Sequence, residues 1–132
     1  RPHVLKAVLD STGEVARTVE PEVLIQTAAS RASLDVVSRS LVDVTRDGTA
    51  KGAFAGFGIA VAGKTGTAEV RGKDDYAWFC AYAPANKPRY AVAVVVEQGG
   101  HGGSVTGPAA RNILAQLLGQ PIVTIRTTDL SR

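Results

Sequence analysis

The order of apolar and polar positions changes character several times along the chain. Residues 4–19, VLKAVLDSTGEVARTV, put β-branched residues on either side of Ser11-Thr12-Gly13, which predicts two short strands about a turn. The next run, EPEVLIQTAAS, fits turn, strand and short helix equally well. From Ser33 the period becomes helical. Leu34, Val37, Leu41 and Val44 recur at three- and four-residue steps, with Ser33 as N-cap and Gly48 after the last turn. Glycines and alanines, GTAKGAFAGFG, then lead into a weakly alternating strand over residues 59–67. RGKDD is a turn, residues 76–83 a second strand, PANKP a tight connection and residues 90–96 a third strand. After the glycine-rich loop EQGGHGG, the pattern predicts a final helix with Thr106 or Gly107 as N-cap and Pro108 at its first position. Ile113, Leu114, Leu117 and Leu118 share one face of that helix, and Gly119 follows it. The tail from residue 120 is expected to add a short strand.

A connection as short as PANKP cannot carry the crossover that parallel strands need, so residues 76–83 and 90–96 must pair antiparallel. The resulting fold class is α+β, an α/β sandwich in which a C-terminal helix packs on an antiparallel sheet. No internal repeat and no linker divides residues 1–132, which are read as one segment.

Composition narrows the function classes. A hydrophobic content of 45% and a charged content of 20% over 132 residues are those of a globular domain. The net charge of +3 is mild, Lys and Arg are scattered, and aromatics are 5%, which argues against a nucleic-acid partner. Cys80 is the single cysteine, so there is no internal disulfide framework and no cluster of companions for a metal. The longest apolar run, residues 91–96, is far too short to cross a bilayer. The chain opens on Arg-Pro-His and contains no Met, which leads us to expect a piece of a longer polypeptide.

The candidate chemistry lies in residues 56–70, GFGIAVAGKTGTAEV, where two motifs overlap. Residues 58–65, GIAVAGKT, fit the G-x-x-x-x-G-K-[ST] phosphate loop. Lys64-Thr65-Gly66 is also K-T-G, which accompanies S-x-x-K in penicillin-recognising serine enzymes. A phosphate loop needs a tight anion nest followed by a helix. Ile59, Ala60, Val61 and Ala62 instead favour an extended strand, and the glycines and β-branched residues after Thr65 make a poor helix. On a strand, Thr65 and Thr67 share one face while Lys64 and Gly66 share the other. Gly66 would let another element pack closely behind the strand. At a sheet edge, the unpaired N–H groups of such a strand can take an extended peptide as an added strand.

Three segments in order, VAGKTGTAEV, then YAWFCAYAPANKPRYAVAVVVEQGGHGG, then GPAARNIL, make the chain resemble the C-terminal third of a class B penicillin-binding protein. It is most similar to the elongation group, penicillin-binding protein 2. The opening RPHVLKAV and the DGTA at residues 47–50 also sit where that family has similar segments, whereas Ala81 stands where the family commonly has glycine.

The resemblance implies a peptidoglycan D,D-transpeptidase in cell-wall synthesis, with no cofactor and no metal. A serine in S-x-x-K attacks a D-Ala-D-Ala stem peptide, D-Ala leaves, and a neighbouring amine resolves the acyl-enzyme. It implies that Lys64 links electrostatically to the S-x-N serine and helps hold the substrate carboxylate, that the Thr65 and Thr67 hydroxyls bind that carboxylate, and that Gly66 belongs with them to the substrate-binding set. The Thr67 backbone N–H would be one of two oxyanion donors. β-Lactams would acylate the same serine.

Neither S-x-x-K nor S-x-N occurs in residues 1–132; Ser33-Leu34-Asp35 is the nearest imitation, and a helix cap explains it. The nucleophile is therefore expected in a preceding portion of the same protein, without which this chain should be inactive. Further implied partners are the stem peptide, β-lactams and a glycosyltransferase of the elongation machinery. The implied location is the extracytoplasmic face of the bacterial membrane, held by an upstream transmembrane helix. Readings sharing the fold and motif are a serine β-lactamase, a D,D-carboxypeptidase or a non-enzymatic β-lactam sensor, and the outsider is a phosphate-loop NTPase. Trp78 and Phe79 are read as packing residues, Cys80 as a small buried apolar residue and His101 as a loop residue.

Overall fold

The computed structural model describes residues 3–100 and 102–124. Contacts divide the chain, in which the sequence shows no linker, into two compact units, residues 1–30 and 31–132. In the first, β1 (Ala7–Leu9) and β2 (Val15–Thr18) form the expected antiparallel hairpin. Asp10 closes it: one carboxylate oxygen accepts the Thr12 N–H at 2.8 Å, the Thr12 hydroxyl at 2.6 Å and the Glu14 N–H at 3.0 Å. Those three donors hold the carboxyl below its ordinary pKa, the Thr12 hydroxyl foremost. Residues 19–30 form no regular element.

The second unit runs α1 (Arg31–Arg46), α2 (Lys51–Phe54), β3 (Ala62–Ala68), β4 (Tyr76–Ala83), β5 (Tyr90–Val96) and α3 (Gly102–Leu118). The sheet order is β3-β4-β5, antiparallel throughout, with Lys64 opposite Cys80 and Phe79 opposite both Thr65 and Val94. β4 and β5 fall where alternation predicts them. β3 begins at Ala62 rather than residue 59, because Val61 is already engaged by α1: its carbonyl accepts the Thr45 hydroxyl at 2.6 Å.

Three boundaries differ from the sequence reading. α1 starts at Arg31, so Ser33 lies inside the helix instead of capping it. The helical backbone extends one turn ahead of the apolar stripe, where Arg31 and Asp35 lie 3.5 Å apart on exposed side chains. α2 forms within the stretch GTAKGAFAGFG, where the pattern predicts no helix. α3 starts at Gly102, so neither Thr106 nor Gly107 caps it and Pro108 lies within it. Glycine's low helix propensity hid this start, and tertiary burial overrides it: Val105 and Thr106 are buried. No strand forms over residues 120–124; the rest of the tail and His101 lie outside the described residues.

The core lies between the sheet and α3, where Phe79, Ala81 and Ala83 meet Ala110 and Leu114 from the helix and Ala50, Phe54 and Val61 from the preceding segment. Phe54 stacks on Phe79 with centroids 5.5 Å apart. Gly63 makes room for that ring, since a Cβ there would stand 2.6 Å from Phe79 Cζ. Even-numbered residues of β4 point away from the core, which leaves Trp78 38% exposed and makes Cys80 exposed rather than buried. Alternation along the strand, not the apolar character of cysteine, decides its side.

Candidate functional site

Among the described residues, β3 is hydrogen-bonded to β4 only, so Lys64-Thr65-Gly66-Thr67 lies along a sheet edge. Ala62 and Gly63, at the start of the strand, are buried, and the chain emerges into solvent at Lys64. Cross-strand partners fix the faces. Lys64 and Gly66 stand opposite Cys80 and Trp78, on the face away from α3, whereas Thr65 and Thr67 stand opposite Phe79 and Ala77, on the face toward it. The division expected from strand alternation is therefore present. It also means that the lysine and the two hydroxyls approach a common point only at the rim of the strand.

Lys64 is exposed, and its ammonium donates to the Thr65 carbonyl at 2.7 Å. Beside it, a groove of about 450 Å³ on the outward face is lined by Leu41, Ala62, Lys64, Cys80, Tyr82 and Ala93 among others. α1 forms one flank of this region, where Ser38 Oγ and the Tyr82 hydroxyl lie 3.0 Å apart. A second cavity, about 340 Å³ and lined by Phe54, Phe57 and Val61 with Arg46 and Lys51, contains none of the four predicted residues.

Among the described residues, no separate element packs against Gly66. A Cβ there would lie 3.2 Å from Trp78 Cβ on the adjacent strand, so the glycine relieves crowding within the sheet. The close approach to another element occurs at Gly103, in the first turn of α3. A Cβ there would overlap the Thr49 carbonyl oxygen and stand 3.5 Å from Thr65 Cγ2. Thr49 in turn places its hydroxyl 3.0 Å from that of Thr65. Sequence periodicity does not pair Thr49 with Thr65; the only signal was that DGTA lies in a segment similar to the family's. Among the described residues no group of His, Cys, Asp and Glu is arranged to hold a metal ion, and no helix is long and apolar enough to cross a membrane.

An edge strand carrying K-T-G on an antiparallel sheet backed by a C-terminal helix defines the penicillin-recognising class of serine acyltransferases and hydrolases. Within that class the chain belongs to the family described as the penicillin-binding protein transpeptidase domain, whose model matches residues 1–115. It is 33% identical to the peptidoglycan D,D-transpeptidase MrdA of Haemophilus influenzae, an alignment covering 90% of this chain and 21% of that protein. Among solved structures, the D,D-transpeptidase domain of a peptidoglycan glycosyltransferase from Eggerthella lenta is 38% identical. It superposes with a TM-score of 0.73 over 86% of this chain and 26% of that one. The ceftriaxone acyl-enzyme complex of penicillin-binding protein A from Mycobacterium tuberculosis matches at 28% identity and a TM-score of 0.75, covering 86% of this chain and 27% of that one. The chain thus spans about a fifth to a quarter of the length of the curated relatives it matches.

Proposed function

We propose that this chain is the K-T-G portion of a peptidoglycan D,D-transpeptidase and acts together with a serine nucleophile outside residues 1–132. The observation that carries the reading is the position of Lys64-Thr65-Gly66-Thr67 on an open sheet edge, in a chain of this family. Neither S-x-x-K nor S-x-N occurs in this sequence, so the residues that hold and deprotonate the nucleophile come from the N-terminal portion of the same protein. Alone, the chain is inactive.

In this reading, an extended stem peptide lies along the edge of β3 as an added strand. The ammonium of Lys64 supplies positive charge to the S-x-N serine and to the terminal carboxylate, and the hydroxyls of Thr65 and Thr67 donate to that carboxylate. The serine oxygen forms a bond to the D-Ala carbonyl carbon, and the C–N bond to the terminal D-Ala breaks. The leaving amine takes a proton, and an amine of a neighbouring stem peptide then displaces the enzyme. The N–H of Thr67 stabilises the oxyanion in both halves. A β-lactam carries a carboxylate beside a strained amide and acylates the same serine; the acyl-enzyme described for the M. tuberculosis relative is in keeping with this. The outward face of the sheet, with Trp78 and Val95 exposed, supports docking of the N-terminal portion there. The protein works on the extracytoplasmic side of the membrane, anchored by a helix outside this sequence, beside a glycosyltransferase.

Labelling of the complete polypeptide with a fluorescent penicillin tests this. One label per molecule with slow release is expected. Absence of labelling, or hydrolysis fast enough to turn over the drug, would overturn the transpeptidase reading.

A further inference from the structure

We infer that Thr49 is a positioning residue for the hydroxyl of Thr65, locking it as a donor to the carboxylate of the bound peptide or β-lactam. The inference rests on the transpeptidase reading above.

Both branches of the Thr65 side chain are held. Its Oγ1 lies 3.0 Å from Thr49 Oγ1. Its methyl is on the side of Gly103, where an added Cβ would sit at 3.5 Å, and the β-branch itself restricts χ1. A hydroxyl carries one hydrogen and two acceptor lone pairs. Either hydroxyl can donate in this pair; when Thr49 donates, the Thr65 hydrogen is left for a second acceptor, the role a carboxylate at the edge of β3 would fill. A carboxylate arriving there completes a chain in which Thr49 donates to Thr65 and Thr65 to the anion, each bond polarising the next. Without Thr49, the Thr65 hydroxyl rotates freely and has to be oriented at the moment of binding.

The backbone of Thr49 is fixed by the same joint. Its carbonyl lies where a side chain at position 103 would stand, so the first turn of α3 presses directly on the residue that orients Thr65. Thr49, in the connection between α1 and α2, and Thr65, on β3, are sixteen residues apart in sequence, and Gly103 belongs to α3. Two elements and the α1–α2 connection therefore converge on one side chain.

The test measures the second-order rate of acylation of the complete polypeptide by benzylpenicillin and by its methyl ester, which lacks the anion. Thr49→Val keeps the shape and removes the hydroxyl; Thr49→Ser keeps the hydroxyl. Loss of an oriented donor to a charged group should slow Thr49→Val by about tenfold with benzylpenicillin, while its rate with the ester stays near wild type and Thr49→Ser recovers most of the loss. The acid-to-ester ratio within one preparation separates this effect from partial unfolding. Wild-type rates with Thr49→Val, an equal fall with acid and ester, or a Thr49→Ser variant as slow as Thr49→Val would each overturn the inference while leaving the transpeptidase reading intact. A wild-type protein that no β-lactam acylates would overturn both.

Discussion

The two faces of β4 carry similar apolar residues in different surroundings. Toward α3, Ala77, Phe79, Ala81 and Ala83 are all buried against the helix and the preceding segment. Away from it, Trp78 and Cys80 are exposed, as is Val95 beside them on β5, and Leu34 and Val37 of α1 are exposed too. A strand that reads YAWFCAYA has the near-continuous apolar composition of a sheet covered on both sides, yet within the described residues the outward side is flanked by α1 near Tyr82 and left exposed at Trp78 and Cys80. The inner face accounts for why these residues fold; the outer face, which bears Lys64, is suited to a second body docking on it. Packing thus concentrates on one side of the sheet and leaves the other largely open, and substitutions on each side should act differently.

The largest expected effect is at Lys64. Lys64→Ala should slow acylation of the complete polypeptide by a fluorescent penicillin by about a hundredfold or more, the scale of losing one preorganised electrostatic contact, with an unchanged circular dichroism spectrum. On the inner face the loss is of stability. Phe79→Ala should destabilise by about 3–5 kcal/mol and Leu114→Ala by about 2–5 kcal/mol in urea denaturation, whereas Cys80→Ala in the 132-residue chain should stay within about 0.5 kcal/mol. If Cys80→Ala cost as much as Leu114→Ala, the two faces would not be distinct. Between these lies Gly63→Ala, where the added methyl meets the Phe79 ring and should cost about 1–3 kcal/mol.

The smallest effect is one of pH. The hydrogen bond from Arg46 to Asp47, 2.8 Å long, holds the Asp47 carboxyl below its ordinary value of 3.8. A carboxyl depressed in the folded state stabilises the fold above the ordinary value and loses that contribution as pH falls through the lower one. An NMR titration should place its midpoint below 3.8, and Arg46→Gln should move it upward.

Much of this was legible from residue order. Alternation gives β4 and β5 with their bounds, the short PANKP connection gives their antiparallel pairing, and three motifs in order give the family. What escaped depends on contacts distant in sequence. The start of α3 is written in glycines, which locally read as loop, and its helical turn comes with the burial of Val105 and Thr106 and the close approach of Gly103 to Thr49. Ser33 looked like a cap because a stripe of apolar residues marks what a helix buries and not where its backbone begins. Residue type alone predicts a buried Cys80, whereas its position in the alternation of β4 turns it outward. Lys64, Thr65, Gly66 and Thr67 were marked by their motif, whereas Thr49 has no signature of its own and becomes visible only beside Thr65.

The most direct test of the proposed division of labour is to acylate the complete polypeptide with benzylpenicillin, digest it and locate the adduct by mass spectrometry. A single penicilloyl group on a serine outside residues 1–132 is the predicted result. An adduct on any residue within them, or a polypeptide that remains unmodified, would contradict it.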